Sequence, residues 1–307
     1  MRIAVLGAGA MGSLFSGYLS ARNDVIVVDV NETVVSAIRE YGVRIKEKNG
    51  TTNVCRPFAV TSSFGIGPQD LVIVFVKSMF TVSALECNKN LIGPDTYLLT
   101  LQNGAGHESK LLKFADRKHV IIGSTQHNSS VIAPGFVNHG GSGITSIGLL
   151  DGELQAVDSI ARNFSECGLE CHTEENVQKQ VWKKLFTNTA ASSLTALFQV
   201  PLGFIHCDSN ANFLMKQLCK EAVDVANSLG LEFDLADVTK DVDSVCANAP
   251  DGYTSIYADI KNGRKSEVDT ISGSVIEAAR DQRMSVPYHE FVVKAIHALE
   301  NKNKEKK

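Results

Sequence analysis

The sequence predicts an α/β protein: an N-terminal doubly wound parallel sheet followed by an all-α C-terminal domain. Three observations carry this reading. A short apolar run, Ile3 to Leu6, passes straight into Gly7-Ala8-Gly9-Ala10-Met11-Gly12, and a second run, Val25 to Val28, ends at Asp29. Further apolar runs then alternate with amphipathic stretches, the pattern of a sheet covered on both faces. From about Glu174 onward strand signals vanish and apolar residues recur at helical spacing.

The opening unit reads strand, glycine turn, helix, strand, acid, which is the Rossmann-type arrangement for a dinucleotide. Gly7 permits the tight turn, Gly9 lets the backbone approach a pyrophosphate, and Gly12 lets the helix pack on the strand. The helix N-terminus, with Ala10 and Met11 in its first turn, offers free N–H groups to phosphate charge. Asp29 is placed to accept hydrogen bonds from ribose hydroxyls, although it would also serve as the N-cap of a helix whose first turn holds Glu32. Its carboxylate repels a 2′-phosphate, and Val30, Asn31, Glu32 and Thr33 supply no cation to neutralise one. NAD(H) is therefore the favoured cofactor, with NADP as the alternative.

Asp70 to Val76 forms the next buried strand, followed by Tyr97 to Leu101 and His119 to Ile122. Ligands on such sheets sit at the C-terminal strand edge, so Lys77 and Asn103, each just past a strand, fall within reach of the cofactor. Val131 to Ile147, rich in glycine and β-branched residues, predicts one or two antiparallel strands, and a helix from Leu154 to Cys167 closes the first domain. Helices are then expected over Val177–Phe198, Asn210–Leu229, Leu235–Val245, Tyr253–Lys261, Glu267–Arg280 and Tyr288–Leu299, punctuated by Pro201, Gly230, Pro250, Gly263 and Pro287. The resulting domains are 1–170, dinucleotide-binding, and 171–307, helical and substrate-binding.

Composition narrows the function classes. A chain of 307 residues suits two domains. Its 30 basic residues against 34 acidic ones, with no long basic stripe, argue against nucleic acid as a partner. The cationic tail Asn301 to Lys307 reads as a frayed, solvated end. No signal-peptide pattern and no run of membrane-spanning length occur. The seven cysteines are odd in number and scattered, and no Cys or His pairing completes a metal site. Buried thiols, no metal and a cytoplasmic location follow as expectations. The exposed faces of the helical half are compatible with a homodimer.

In the second half, Lys184, Asn188 and Ser192 follow one another at four-residue intervals through an apolar helix. Positions four apart share a helical face. The stripe is either the wall of a site or a solvated face continuing from Lys183. Asn188 and Ser192 are poor helix formers, which a plain solvent face does not favour. Ser255 lies on a short helix beginning near Tyr253. Glu267 is expected in the first turn of a helix, where dipole complementarity alone would explain it, with Ser266 and Asp269 resembling a capping arrangement.

Together these segments resemble the ketopantoate reductases (2-dehydropantoate 2-reductases) and their relatives, the NAD-linked D-2-hydroxyacid (D-mandelate) dehydrogenases. The resemblance spans nearly the whole chain. It rests on Gly7 to Gly12, Val76-Lys77, Gln102-Asn103-Gly104, Trp182-Lys183-Lys184-Leu185 with Asn188, and Tyr253-Thr254-Ser255 with Asp259. Gly263-Arg264 and Ser266-Glu267-Val268-Asp269 complete it. It implies that Lys184 is the general acid protonating the ketone oxygen of a small 2-oxo acid. Glu267 would be the carboxylate that orients and charges that lysine or holds the substrate hydroxyl. Asn103 would bridge nicotinamide and lysine, Lys77 would lie on the cofactor side, and Asn188 and Ser255 would contact substrate. The chemistry is coherent: a ketone accepting hydride becomes an alkoxide, which a positioned ammonium stabilises and protonates.

Two departures stand out. The family's second asparagine, four residues beyond Asn188, is here Ser192, placing a shorter hydroxyl at the substrate's far end. The asparagine often found ahead of the Ser255 position is Gly252. The NADP-type reductases also carry an arginine where this chain has Asp29-Val30, which again favours NAD. The expected function is reduction of ketopantoate to (R)-pantoate with NADH. The alternative is an NAD-dependent D-2-hydroxyacid dehydrogenase acting on a branched or aromatic 2-oxo acid. A catalytically idle NAD(H)-sensing protein would not need Lys184, Asn103 and Glu267 together.

Overall fold

The computed structural model describes residues 1–304. It divides into two compact units, one of Met1–Gln102 and His107–Gln180, the other of Asn103–Gly106 and the chain from Val181 onward.

The first unit carries twelve strands. They are β1 (Arg2–Leu6), β2 (Asp24–Val28), β3 (Val43–Lys46), β4 (Thr52–Cys55), β5 (Phe58–Val60), β6 (Leu71–Val74), β7 (Tyr97–Thr100) and β8 (Val120–Thr125), then β9 (Asn128–Ala133), β10 (Phe136–Gly141), β11 (Thr145–Leu149) and β12 (Cys171–Thr173). Helices α1 (Ala10–Leu19), α2 (Glu32–Tyr41), α3 (Thr81–Cys87), α4 (Glu108–Leu111) and α5 (Gln155–Glu166) connect them. Eight strands form one sheet in the order β12-β11-β8-β7-β6-β1-β2-β5. From β8 across to β5 every neighbouring pair is parallel. This is the doubly wound sheet expected from the alternating pattern, and β6 is buried along its whole length because helices cover both faces. β11 pairs antiparallel with β8, as the glycine-rich segment suggested.

A second sheet, β4-β3-β10-β9, holds the antiparallel pair β9 and β10 expected from the glycine-rich segment, beside β3 and β4, which the apolar pattern does not reveal. β4 is mostly exposed and carries no apolar run. This sheet packs on α1. There Tyr18 donates to Glu47 at 2.8 Å, Glu47 meets His139 Nδ1 at 2.9 Å, and His139 Nε2 meets His127 at 3.1 Å.

Several boundaries differ from expectation. β12 adds a parallel strand to the large sheet, so the first unit runs on to Gln180 where a division at 170 was expected. The N-cap of α2 is Asn31, which accepts from Thr33 N at 3.0 Å, rather than Asp29. Of the scattered thiols, Cys87 and Cys207 are exposed, while Cys167, Cys171, Cys219 and Cys246 are buried.

The second unit is helical. Its elements are α6 (Val177–Thr187), which runs across the boundary, then α7 (Ser193–Phe198), α8 (Leu202–Cys207), α9 (Ser209–Ser228), α10 (Leu235–Asn248), α11 (Ser255–Lys261), α12 (Ser272–Asp281) and α13 (Pro287–Lys304). A continuous apolar core runs from Trp182 through α9 to Ile296. Asp208 caps α9 and Asp234 caps α10, each accepting two backbone N–H bonds. The helix expected over Val177–Phe198 is interrupted by a π turn, Asn188–Ser192. The tail is helical through Lys304, not frayed; residues 305–307 lie outside the described part. Among the described residues no helix is long and apolar enough to cross a membrane. No described cluster of His, Cys, Asp and Glu could hold a metal ion.

Candidate active site

The glycine turn has the shape a pyrophosphate needs. Gly7 sits at φ +99°, and a Cβ there would come within 2.9 Å of Val76 N, so only glycine fits. A Cβ on Gly12 would strike the Gly7 carbonyl, which is the close helix–strand packing expected of that position. Gly9 faces open space. It begins α1 with no side-chain cap and no acid in the first turn, so the helix N-terminus at Ala10 and Met11 is left for an anion.

Asp29 has a structural part in the glycine turn. One carboxylate oxygen accepts from Ala8 N at 2.6 Å and the other from Asn31 N at 2.9 Å, so it braces the glycine loop from the end of β2. Lys77 follows β6, half-buried, at the start of a 3₁₀ turn. Gln102, beside Asn103, is an organiser that residue type alone does not reveal. Its side chain donates to the Val76 carbonyl and meets Thr81 and Thr100, tying the ends of β6 and β7 together.

The second unit gathers the residues with acid–base chemistry. Lys184 Nζ donates to Asn103 Oδ1 at 3.0 Å. Gly104, at φ +105°, lets the Asn103 loop lie against the backbone of Thr270, whose carbonyl a Cβ would strike. Thr270 closes the turn that carries Glu267: Thr270 N and Ile271 N donate to the Glu267 carbonyl at 3.1 and 3.0 Å. Glu267 thus lies in a turn ahead of α12, not in the helix's first turn, and dipole complementarity does not account for it. Nor do Ser266 and Asp269 cap α12. Their side chains turn instead to Glu300 and His297 of α13, partners that local sequence could not reveal.

Burial pushes the Lys184 ammonium down, and the Glu267 charge holds it up in part, leaving its pKa at about 8 instead of 10.5. The π turn begins at Asn188, half-buried, and ends at Ser192, which is buried. Single π turns recur at functional sites because they re-aim side chains within a helix. Thr254 caps α11, accepting from Tyr257 N, and bonds Thr195 Oγ1 at 2.9 Å, fixing the position of Ser255. Asn103, Lys184 and Glu267 are brought together. Gly7, Gly9, Ala10, Met11, Gly12, Asp29 and Lys77 lie in the first unit.

Comparison with known proteins agrees with both halves. The model of the family described as ketopantoate reductase PanE/ApbA matches residues 3–152, and that of its C-terminal domain matches residues 176–300. This chain belongs to the ketopantoate reductase family. The 2-dehydropantoate 2-reductase of Halobacterium salinarum is 32% identical over 295 residues, covering 94% of this chain and 95% of the relative. That of Pyrococcus abyssi is 30% identical, covering 98% of this chain and all of the relative. Among solved structures, a ternary complex of D-mandelate dehydrogenase with NADH and anilino(oxo)acetate has a TM-score of 0.93 at 29% identity, covering 99% of each chain. As a member of the ketopantoate reductase family, the protein is an NAD(P)-dependent oxidoreductase with a Rossmann-type domain and a helical C-terminal domain.

Proposed function

We propose that this member of the family reduces ketopantoate to (R)-pantoate, with NADH preferred over NADPH, as a step toward pantothenate and coenzyme A. The observation that carries the proposal is the Lys184–Asn103 hydrogen bond of 3.0 Å on a lysine whose charge Glu267 supports. A dinucleotide held by the glycine turn would supply the hydride for the carbonyl carbon. Lys184 donates its proton to the carbonyl oxygen, so that the alkoxide does not accumulate. Asn103 holds the ammonium in line, and Glu267 keeps it protonated against the cost of burial. Asn188, Ser192 and Ser255 offer an amide and two hydroxyls to the substrate's carboxylate and side chain.

Because the donor is an ammonium with a pKa near 8, the rate of ketone reduction should fall as pH rises through about 8. Oxidation of the hydroxy acid needs the neutral amine and should rise over the same window. Parallel pH profiles in the two directions would remove Lys184 as the proton donor.

Initial rates with ketopantoate, 2-oxoisovalerate and benzoylformate, each with NADH and NADPH, test the proposal. Ketopantoate should give the highest kcat/KM. A second reading is favoured by the likeness to a D-mandelate dehydrogenase bound to NADH and by the buried hydroxyl at Ser192. If benzoylformate or 2-oxoisovalerate gives the higher value, the protein is a D-2-hydroxyacid dehydrogenase. For the cofactor, Asp29→Ala should narrow the NADH-to-NADPH ratio of kcat/KM and raise the KM for NADH, since the loop loses its brace on Ala8 N. An unaltered ratio would confine Asp29 to a structural role.

A further inference from the structure

The turn that carries Glu267 is gripped from outside. Ser266 donates its backbone N–H and its hydroxyl to Glu300 Oε1, at 2.9 and 2.7 Å. The other oxygen of Glu300 meets His297 Nδ1 at 3.1 Å, and His297 Nε2 meets Asp269 Oδ1 at 2.7 Å. His297 and Glu300 stand one turn apart on α13, so they face the same way. Ser266, Glu300, His297 and Asp269 therefore close a ring of hydrogen bonds around the two sides of Glu267. Lys265 Nζ lies 3.8 Å from the other oxygen of Asp269 and adds a positive charge beside this ring.

The ring is more than the turn requires for its own closure, which the Glu267 carbonyl already provides through Thr270 N and Ile271 N. It is also built at a cost, because Ser266 is 1% and Glu300 7% exposed, and buried polar groups are tolerated only when fully bonded. Both His297 nitrogens face carboxylate oxygens, and both can donate only in the protonated imidazole. Burial opposes that charge, but the hydrogen bonds to Glu300 and Asp269 and their charges outweigh it, and the His297 pKa is raised. Burial likewise opposes the Glu300 carboxylate, and the bonds from Ser266 and His297 outweigh it, so its pKa is lowered.

We propose that Glu300 and His297 are positioning residues of the reaction: through Ser266 and Asp269 they fix the turn that presents Glu267 to Lys184. The inference rests on the roles given above to Lys184 and Glu267. It adds that the proton-donating power of Lys184 is set from α13, by residues that touch neither the lysine nor the substrate.

Two readouts on the full-length protein test it. One is the pH dependence of Lys184 acetylation by acetic anhydride, followed at that residue by mass spectrometry, which reports the ammonium's titration without turnover. The other is the pH profile of kcat with ketopantoate and NADH. Glu267→Gln should lower the Lys184 titration midpoint, since burial is then unopposed. Glu300→Ala and His297→Ala should lower it in the same direction by less. They should also cut kcat roughly 10- to 100-fold, the scale of an ångström-sized misplacement, with the KM for NADH unchanged. Glu300→Gln keeps an acceptor for Ser266 and should restore most of the rate.

Glu221→Ala is the control. Glu221 holds the other end of α13, accepting from Tyr288 N, His289 N and His289 Nδ1 at 2.9, 3.0 and 2.8 Å. Its loss should lower Tm and leave the titration of Lys184 where it was. A folded Glu300→Ala variant with the wild-type titration and pH profile overturns the proposal. If Glu300→Ala does not fold, Ser266→Ala removes one bond of the ring, and an unmoved Lys184 midpoint there overturns it equally. If Glu267→Gln itself leaves the Lys184 titration untouched while Lys184→Ala is inactive, the role of Glu267 has failed and the lysine's has not. If Lys184→Ala remains active, the reading of the whole site has failed.

Discussion

Replacing Lys184 with alanine should lower turnover roughly 10³- to 10⁴-fold, the scale of a lost general acid, while NADH binds as before. The split follows from the division of labour. The glycine turn, α1 and Asp29 belong to the first unit, and the ammonium lies in the second. Steady-state rates beside NADH fluorescence titration check it, and unchanged turnover would remove Lys184 from the chemistry.

The same lysine should have a measurable cost in stability. Its pKa falls from 10.5 to about 8 on folding. Between those values the unfolded chain binds more protons than the folded one, so this group's contribution becomes less unfavourable as pH rises. Below about 8 the whole cost of holding the ammonium away from water is present. Lys184→Met should therefore raise Tm at neutral pH, with a gain that shrinks above pH 8. Loss of activity with a gain in stability separates a functional lysine from one that merely packs.

The second large effect is expected at a residue with no side chain. Gly104→Ala forces a Cβ into the Thr270 carbonyl and asks alanine to adopt φ +105°. The loop must move, taking Asn103 away from the Lys184 ammonium. A fall in kcat of about 100-fold is expected from a displacement of that size, together with a lower Tm. Circular dichroism and rates on the same preparation decide it. A variant with normal kcat would show that Asn103 does not need its present place.

How far the sequence carried these conclusions depends on the range of each contact. β1, the glycine turn, α1 and β2 were legible because their logic is local: an apolar run, small residues at fixed spacing, and an acid at the strand end. β6 and β7 were legible because burial on both faces leaves long apolar runs. In the small sheet the antiparallel pair β9 and β10 was legible from the glycine-rich, β-branched segment, whereas β3 and β4 were not, since β4 is mostly exposed and contributes little apolar pattern. The π turn at Asn188–Ser192 left the apolar spacing of Val177 to Phe198 looking like one helix. Ser266 and Asp269 resemble a cap by type and spacing. Their partners Glu300 and His297 lie 34 and 28 residues further along, beyond any local pattern. Residue type identified Glu267 as worth notice, and only the fold shows what holds it.

The loop Asn103–Gly106 belongs with the helical unit although the chain on both sides of it belongs to the sheet. Asn103 and Lys184 are 81 residues apart and meet at 3.0 Å. The two halves are consequently not interchangeable modules. A fragment starting at Val181 would keep the lysine and the carboxylate but lack the amide that accepts from the lysine. In folding, local helix–helix contacts can form early, whereas this pairing must wait for a long segment to close. Helical content should therefore return before catalytic competence, and a graft of the helical half onto another nucleotide-binding domain has to bring a loop from its host.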